Sequence, residues 1–232
     1  MAYALECEAL NKRYGTRAAL TNLTVRFEQG HIVGLLGPNG SGKTTLLKLA
    51  AGMLTPTGGS VRVYGQQPGV ATKSITAYLP DRLALPAHMR TADVMDFYQD
   101  FFSDFNVEKA KGMLADLGIG PKDKIGAMSK GTREKLQLAL TMSRAARLYL
   151  LDEPIGGVDP AAREYILNTI IRNYSEDATL ILSTHLIDDI ETVLDDVVFL
   201  KNGQVSLAQS VDSVREQYGK SVDAVFREVF RC

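Results

Sequence analysis

The chain has 232 residues, 45% of them apolar and 23% charged. That length buries a core without a disulfide or metal staple, and the balance excludes a disordered or fibrous chain. Lys+Arg number 26 against 27 Asp+Glu, so the formal charge of -1 offers no global field for nucleic acid. The cysteines Cys7 and Cys232 stand near opposite ends and suit neither a disulfide framework nor a metal cluster. No apolar run reaches the roughly 20 residues of a membrane span, and the opening residues lack the basic-then-apolar order of a signal peptide.

In chain order, residues 4–14 read as a loosely alternating strand. Residues 20–27 alternate more cleanly, with Leu23, Val25 and Phe27 on one face. A turn at Gln29-Gly30 leads to a short apolar strand, 31–36. Residues 44–53 are helical, with Leu47, Ala50, Ala51 and Leu54 along one side, and the Pro56 to Gly59 stretch stops them. Residues 60–64 and 74–79 read as strands.

From 81 to 145 the pattern turns helical, over 92–101, 107–117 and a third helix capped by Ser129 and running to 144. Nine Lys/Arg and nine Asp/Glu lie between Asp81 and Leu140, a solvated face rather than a binding patch. Phe97, Tyr98, Phe101, Phe102 and Phe105 are too crowded for one narrow stripe. Thereafter strand and helix alternate: strand 147–151, helix 160–174, strand 179–182, helix 186–194 and strand 197–200. The hairpin turn Lys201-Asn202-Gly203 follows, then helices 211–218 and 222–230. This order predicts a sheet with parallel pairing and crossover helices.

Gly37-Pro38-Asn39-Gly40-Ser41-Gly42-Lys43-Thr44 fits the phosphate-loop pattern G-x-x-x-x-G-K-[ST] completely, between an apolar strand and a helix. Glycines let the backbone turn its N–H groups onto phosphate oxygens, and the helix adds its N-terminal dipole. Lys43 is placed to reach the β/γ-phosphates and the Thr44 hydroxyl to take one Mg²⁺ position. The loop points to a nucleotide with Mg²⁺ and leaves open what the energy drives.

Residues 148–154 form an apolar strand ending in two carboxylates, Asp152 and Glu153. Asp152 would hold Mg²⁺, directly or through water, and Glu153 would polarise an attacking water, since a proton must leave it; an ordinary strand end with a solvated acidic pair is the alternative. His185 follows the strand at 179–182, a plausible parallel neighbour, and is placed to orient that water; a capping or surface histidine is the alternative.

With these residues in place, the chain resembles the nucleotide-binding subunits of ABC transporters, over about residues 4–204. Tyr14 stands where the family stacks an aromatic on adenine, and the phosphate loop extends to Thr45. Met128-Ser129-Lys130-Gly131-Thr132 falls at the signature segment, residues 156–159 at the loop crossing the dimer interface, and His185 at the switch histidine. The implied fold is α/β, a P-loop NTPase of the ABC ATPase type. It has a mixed sheet core, an N-terminal antiparallel β subdomain and an inserted helical subdomain. The single domain 1–232 divides into a core (1–80 and 146–204), a helical subdomain (81–145) and a short C-terminal extension (205–232).

The resemblance further implies an ATP-binding and ATP-hydrolysing subunit that powers a separate polytopic membrane subunit, in the direction of export. It would sit peripherally on the cytoplasmic face of the cell membrane, with no direct nucleic-acid partner. Two copies, or one copy and a homologous ATPase subunit, would close around two ATP molecules. Ser129 and the Gly131 N–H, with Lys130 and Thr132 beside them, would then meet the γ-phosphate held by the partner, and Asp159 would couple the sites. Two departures stand out. Asp81 replaces the family's coupling glutamine and adds a carboxylate that can contact Mg²⁺. Lys130 and Thr132 replace a glycine and a glutamine of the signature. Residues 84–91, together with Leu83, are the expected contact with the membrane subunit, through Leu85, Pro86 and Met89. The competing classes are a soluble ATPase of this type acting on ribosomes or DNA, and a nucleotide-gated module with impaired hydrolysis.

Overall fold

The computed structural model describes residues 2–230 except 83, 157, 159 and 176, with the side chains of 161 and 162 also outside the description. Asp159, Gly157, Leu83 and Cys232 of the expectations above therefore lie outside the described residues. The first half runs β1 (Tyr3–Tyr14), β2 (Arg17–Glu28), β3 (Ile32–Leu36), α1 (Lys43–Ala50), β4 (Gly58–Val63), α2 (Val70–Ser74), β5 (Thr76–Leu79), α3 (Thr91–Phe101) and α4 (Val107–Asp116). The second half runs α5 (Lys130–Met142), β6 (Leu148–Asp152), α6 (Pro160–Asn173), β7 (Thr179–Thr184), β8 (Asp196–Lys201), β9 (Gln204–Ser210), α7 (Val211–Tyr218) and α8 (Val222–Phe230).

Two sheets result. The first is antiparallel, in the order β2-β1-β4. The second is ordered β5-β6-β7-β3-β8-β9, with β5 to β8 parallel and β9 returning antiparallel beside β8. Every residue of β3, β6 and β7 is buried, as a parallel sheet covered on both faces demands. Successive side chains point to opposite faces. Val33, Leu35, Leu148, Leu150 and Ile181 pack toward α1 and the first sheet. Leu36, Tyr149, Leu151, Leu180 and Leu182 pack toward α5 and α6. Each such fully buried side chain contributes about 1.5–3 kcal/mol.

The helices α3, α4 and α5 enclose their own apolar cluster, including Val94, Phe105, Ala110, Leu114, Leu136 and Leu140. The Asn106 side chain caps α4 by accepting from the Lys109 N–H at 2.9 Å. Ser129 caps α5 by accepting from the Thr132 N–H at 3.1 Å, as the sequence predicts. The crowded aromatics divide: Tyr98, Phe102 and Phe105 pack together inward, while Phe97 and Phe101 stack on each other 4.4 Å apart in the open.

Two polar ties join this helical block to the rest of the chain, one to the sheet and one to α6. Arg144, 3% exposed, donates to both Asp104 carboxylate oxygens at 2.8 and 2.9 Å. It also donates to the carbonyls of Thr76 at 2.6 Å and Ser74 at 2.9 Å, and stacks on the Phe102 ring. Lys109 donates to the Asn173 carbonyl at the end of α6, where a cation complements the helix dipole. Burial lowers the Lys109 pKa.

Three expectations change. The predicted helix at 186–194 is irregular apart from a single 3₁₀ turn, Glu191–Val193. Ile187 and Ile190 are buried, as a helical stripe would have them, but their burial is met by consecutive three-residue turns, Ile190 N–H to Ile187 and Val193 N–H to Ile190. The predicted strand at 74–79 begins at Thr76, because residues 70–74 close the short helix α2 around buried Thr72. Residues 205–210, expected to open the C-terminal extension, continue the large sheet as β9, and Val211, Val214, Val222 and Val225 join its core.

Candidate functional site

Parallel pairing brings the carboxyl ends of three strands to one edge. Leu36 lies opposite Thr184, and Asp152 opposite Ser183. The loop after β3, the carboxylates after β6 and His185 after β7 therefore meet above this edge, where ligands of open parallel sheets bind. The cleft there has a volume of about 710 Å³ and is lined by Tyr14, Arg17, Ala19, Asn39 to Thr45, Asp81, Lys130, Glu153, Gly156 and His185.

The loop cannot carry side chains at its two narrowest points. A Cβ at Gly37 would lie 2.5 Å from the Leu200 carbonyl oxygen and 2.6 Å from Ser41 Oγ. At Gly42 the backbone has φ +112°, and a Cβ would meet the Ala19 carbonyl at 2.8 Å. Pro38 accepts from the Ser41 N–H inside the loop, and Ser41 in turn accepts from the Gly203 N–H. Lys43 is 5% exposed and folds back over the loop, donating to Gly37 O at 2.6 Å and Pro38 O at 3.4 Å.

The carboxylates lie against this loop. Asp152 is 1% exposed, and its Oδ1 accepts from the Thr44 hydroxyl at 3.0 Å and the Ser183 hydroxyl at 2.8 Å. Burial pushes the Asp152 carboxyl above the usual carboxylate range. Its two hydroxyl hydrogen bonds pull the other way, and the charges of Asp81 and Glu153 reinforce burial. The Tyr78 hydroxyl points at the other oxygen from 3.5 Å; burial first, then the Asp152 charge, raises its pKa.

Glu153 turns inward because its backbone is left-handed, φ +49°, a strain of order 1 kcal/mol for a residue with a side chain. Ser183 holds that turn, accepting from the Glu153 N–H through its carbonyl at 3.1 Å and its hydroxyl at 3.0 Å. One Glu153 oxygen pairs with Lys43 Nζ at 3.1 Å and the other with His185 Nδ1 at 3.1 Å. Lys43, Glu153 and His185 thus form a continuous row beside the Thr44–Asp152 pair.

Of the residues expected from sequence, Tyr14, Asn39, Gly40, Ser41, Gly42, Lys43, Thr44, Thr45, Asp81, Glu153 and His185 share the cleft wall. Gly37 and Pro38 lie beneath it as acceptors for Lys43. Of the signature segment, Lys130 reaches the cleft of its own chain, whereas Ser129, Gly131 and Thr132 are not among its lining residues. Lys130 also lies 3.6 Å from Glu134. Sequence reasoning missed Ser183 as the clamp on Asp152 and Glu153, and Arg17 as a cleft residue. The signal for Arg17 was its distance of three residues from Tyr14; Ser183 carried none of its own, since strand register sets it opposite Asp152.

A glycine loop between a buried parallel strand and a helix, with its lysine, hydroxyl and strand-end carboxylates drawn to one edge, defines a P-loop nucleotide-binding cassette. The chain belongs to the ABC transporter family, which matches residues 20–156. It is similar to the uncharacterized ABC transporter ATP-binding protein YxlF of Bacillus subtilis (strain 168), at 30% identity over 94% of this chain and 75% of that one. It is also similar to the lantibiotic transport ATP-binding protein SrtF of Streptococcus pyogenes, at 26% identity over 90% of this chain and 91% of that one. A solved ATP-binding subunit of an ABC transporter superposes with a TM-score of 0.85 at 25% identity, covering 98% of this chain and 100% of that one. Among the described residues no helix is long and apolar enough to cross a membrane.

Proposed function

We propose that the chain hydrolyses ATP to drive a separate polytopic membrane subunit in export, as one of two cassettes closing face to face on the cytoplasmic side of the membrane. The observation that carries the hydrolytic part is the row Lys43–Glu153–His185 beside the Thr44–Asp152 pair. Similarity to a subunit named for lantibiotic transport supports the transport reading.

The donor set suits Mg²⁺. Thr44 and Asp152 offer oxygens only, 3.0 Å apart, and Asp81 faces the same cleft with a further carboxylate. When bound, Mg²⁺ supplies charge neutralisation on the phosphate oxygens. The rest falls to the chain's own residues. The loop N–H groups and Lys43 hold the phosphates, and Tyr14, half exposed at the cleft mouth, stacks on adenine. Lys43 exchanges its pairing with Glu153 for one with phosphate. That frees the Glu153 carboxylate to take the proton of the attacking water, and His185 orients that water. Ser129, Lys130, Gly131 and Thr132 of a second copy complete the site at the N-terminus of α5, Asp159 couples the two sites, and residues 84–91 meet the membrane subunit.

Replacing Glu153 with Gln keeps the shape and removes the base. Glu153→Gln is expected to bind ATP, to lose turnover by about 100-fold or more, and to accumulate as an ATP-bound dimer in light scattering. Wild-type turnover in that variant overturns the assignment. For the partner, purification from detergent-solubilised membranes is expected to recover a polytopic membrane protein with the chain. Recovery with ribosomes or DNA alone overturns the transport reading.

A further inference from the structure

Three cations line the cleft: Arg17, Lys43 and Lys130. Lys43 is engaged by Glu153 and two loop carbonyls, and Lys130 lies near Glu134. Arg17 differs, for among the described residues its side chain has no hydrogen bond or ion pair. An uncompensated guanidinium in a cleft is a group waiting for an anion.

Its position is fixed by the hairpin between β1 and β2. Tyr14 and Arg17 are direct cross-strand partners across the turn at Gly15, so their side chains share one face. The turn is held by Arg13, which donates to the Thr16 carbonyl at 2.8 Å. Both Tyr14 and Arg17 therefore enter the cleft together. One Arg17 terminal nitrogen lies 3.5 Å from where a side chain on Gly40 would begin, directly against the phosphate loop. Gly40 has φ +82° and carries no side chain, so at this position the loop puts no side chain between the guanidinium and a ligand.

We infer that Arg17 is a further nucleotide-binding residue, contacting the phosphate chain of the nucleotide held by its own chain. It would divide the work with Tyr14: the ring reads the base, and the guanidinium next to it reads the phosphates. The inference rests on the proposed nucleotide-binding function of this cleft. It assigns the contact in cis, so it applies to ADP bound by a single chain as well as to ATP.

The experiment compares wild type, Arg17→Gln and Arg17→Lys by calorimetric titration with ADP, ATP and adenosine, in Mg²⁺, with Lys43→Ala as the reference for a lost phosphate contact. A charge-assisted contact of this kind corresponds to about a 10-fold rise in Kd for ADP and ATP in Arg17→Gln. Adenosine affinity and the thermal midpoint are expected to stay at wild-type values, and Arg17→Lys to fall between the two, since it keeps the charge but loses the fork. Unchanged ADP affinity in Arg17→Gln overturns the inference, including the case where only ATP-driven dimer formation is lost. Equal losses for ADP and adenosine also overturn it, since the residue would then act through the base or the fold. Failure of the wild-type chain to bind ADP or ATP at all would instead sink the proposed nucleotide function.

Discussion

Asp152 has to hold a negative charge at 1% exposure, and the site is built around that cost. The Thr44 and Ser183 hydroxyls donate to one of its oxygens, yet burial with the nearby charges of Asp81 and Glu153 still raises its pKa. A carboxyl whose folded pKa is raised costs the fold stability once it ionises, and the cost fades as pH falls through that value. Asn at this position keeps an oxygen for both hydroxyls and removes the buried charge. Asp152→Asn is therefore expected to raise the thermal midpoint of the nucleotide-free chain by a few degrees, of order 1 kcal/mol, while abolishing Mg²⁺-dependent ATP binding. Scanning calorimetry and ATP titration check the two arms, and a lowered midpoint would show that the charge stabilises the empty site. Asp152, Glu153 and the loop could be read from sequence because a phosphate loop and a strand-end acid pair are local patterns. Ser183 could not. Its role arises from strand register, which sets it opposite Asp152, and a serine at a strand end has many ordinary uses.

Arg144 shows the same logic between elements. Its guanidinium leaves the chain just past the end of α5, reaches the start of β5 through the Thr76 and Ser74 carbonyls, and grips Asp104 with two hydrogen bonds. This one buried side chain bonds the loop after α3 to the sheet. Arg144→Met removes the partner of a largely buried carboxylate, a loss of about 3–5 kcal/mol. The expected result is a lower thermal midpoint and faster hydrogen exchange in β5 and α3. Adding Asp104→Asn should recover part of that loss, because the orphaned charge is then gone. Additive losses in the double variant would refute a direct coupling. Such a link was invisible in the sequence, since Arg144 and Asp104 are 40 residues apart. Elements with strong local signals came through well. Ser129 does cap α5, and the helix read at 160–174 forms as α6, with Ile166 and Ile170 buried. The segment 186–194 misled because buried residues spaced three apart satisfy a helical stripe and successive turns equally, and tertiary packing decided between them. Leu194 is fixed by Gly34 of β3, where a Cβ would lie 2.5 Å from its Cδ1.

At the scale of the whole molecule, the chain presents one wall of a site rather than a closed one. Its cleft gathers the loop, the Glu153 carboxylate and His185, yet of residues 129–132, where the resemblance places the signature, only Lys130 lines it. Ser129 spends its hydroxyl on the Thr132 N–H and stands exposed at the start of α5, a helix N-terminus that suits an anion brought by another body. Two copies related by a two-fold axis would each lend this end to the other's phosphates, so a chain defective only in the loop and a chain defective only in the signature should rescue one another. Lys43→Ala and Ser129→Arg are expected to be inactive alone. Mixed in equal amounts and allowed to exchange, half of the dimers pair unlike chains, each with one intact site joining Lys43 of one chain to Ser129 of the other. Hydrolysis should then return to about a quarter of the wild-type rate if the sites act independently, and to less if they are coupled. Activity in Ser129→Arg alone would mean that one chain holds a complete site. Silence in the mixture, with heterodimers demonstrated by mass spectrometry, would mean that both sites must be intact before either can turn over.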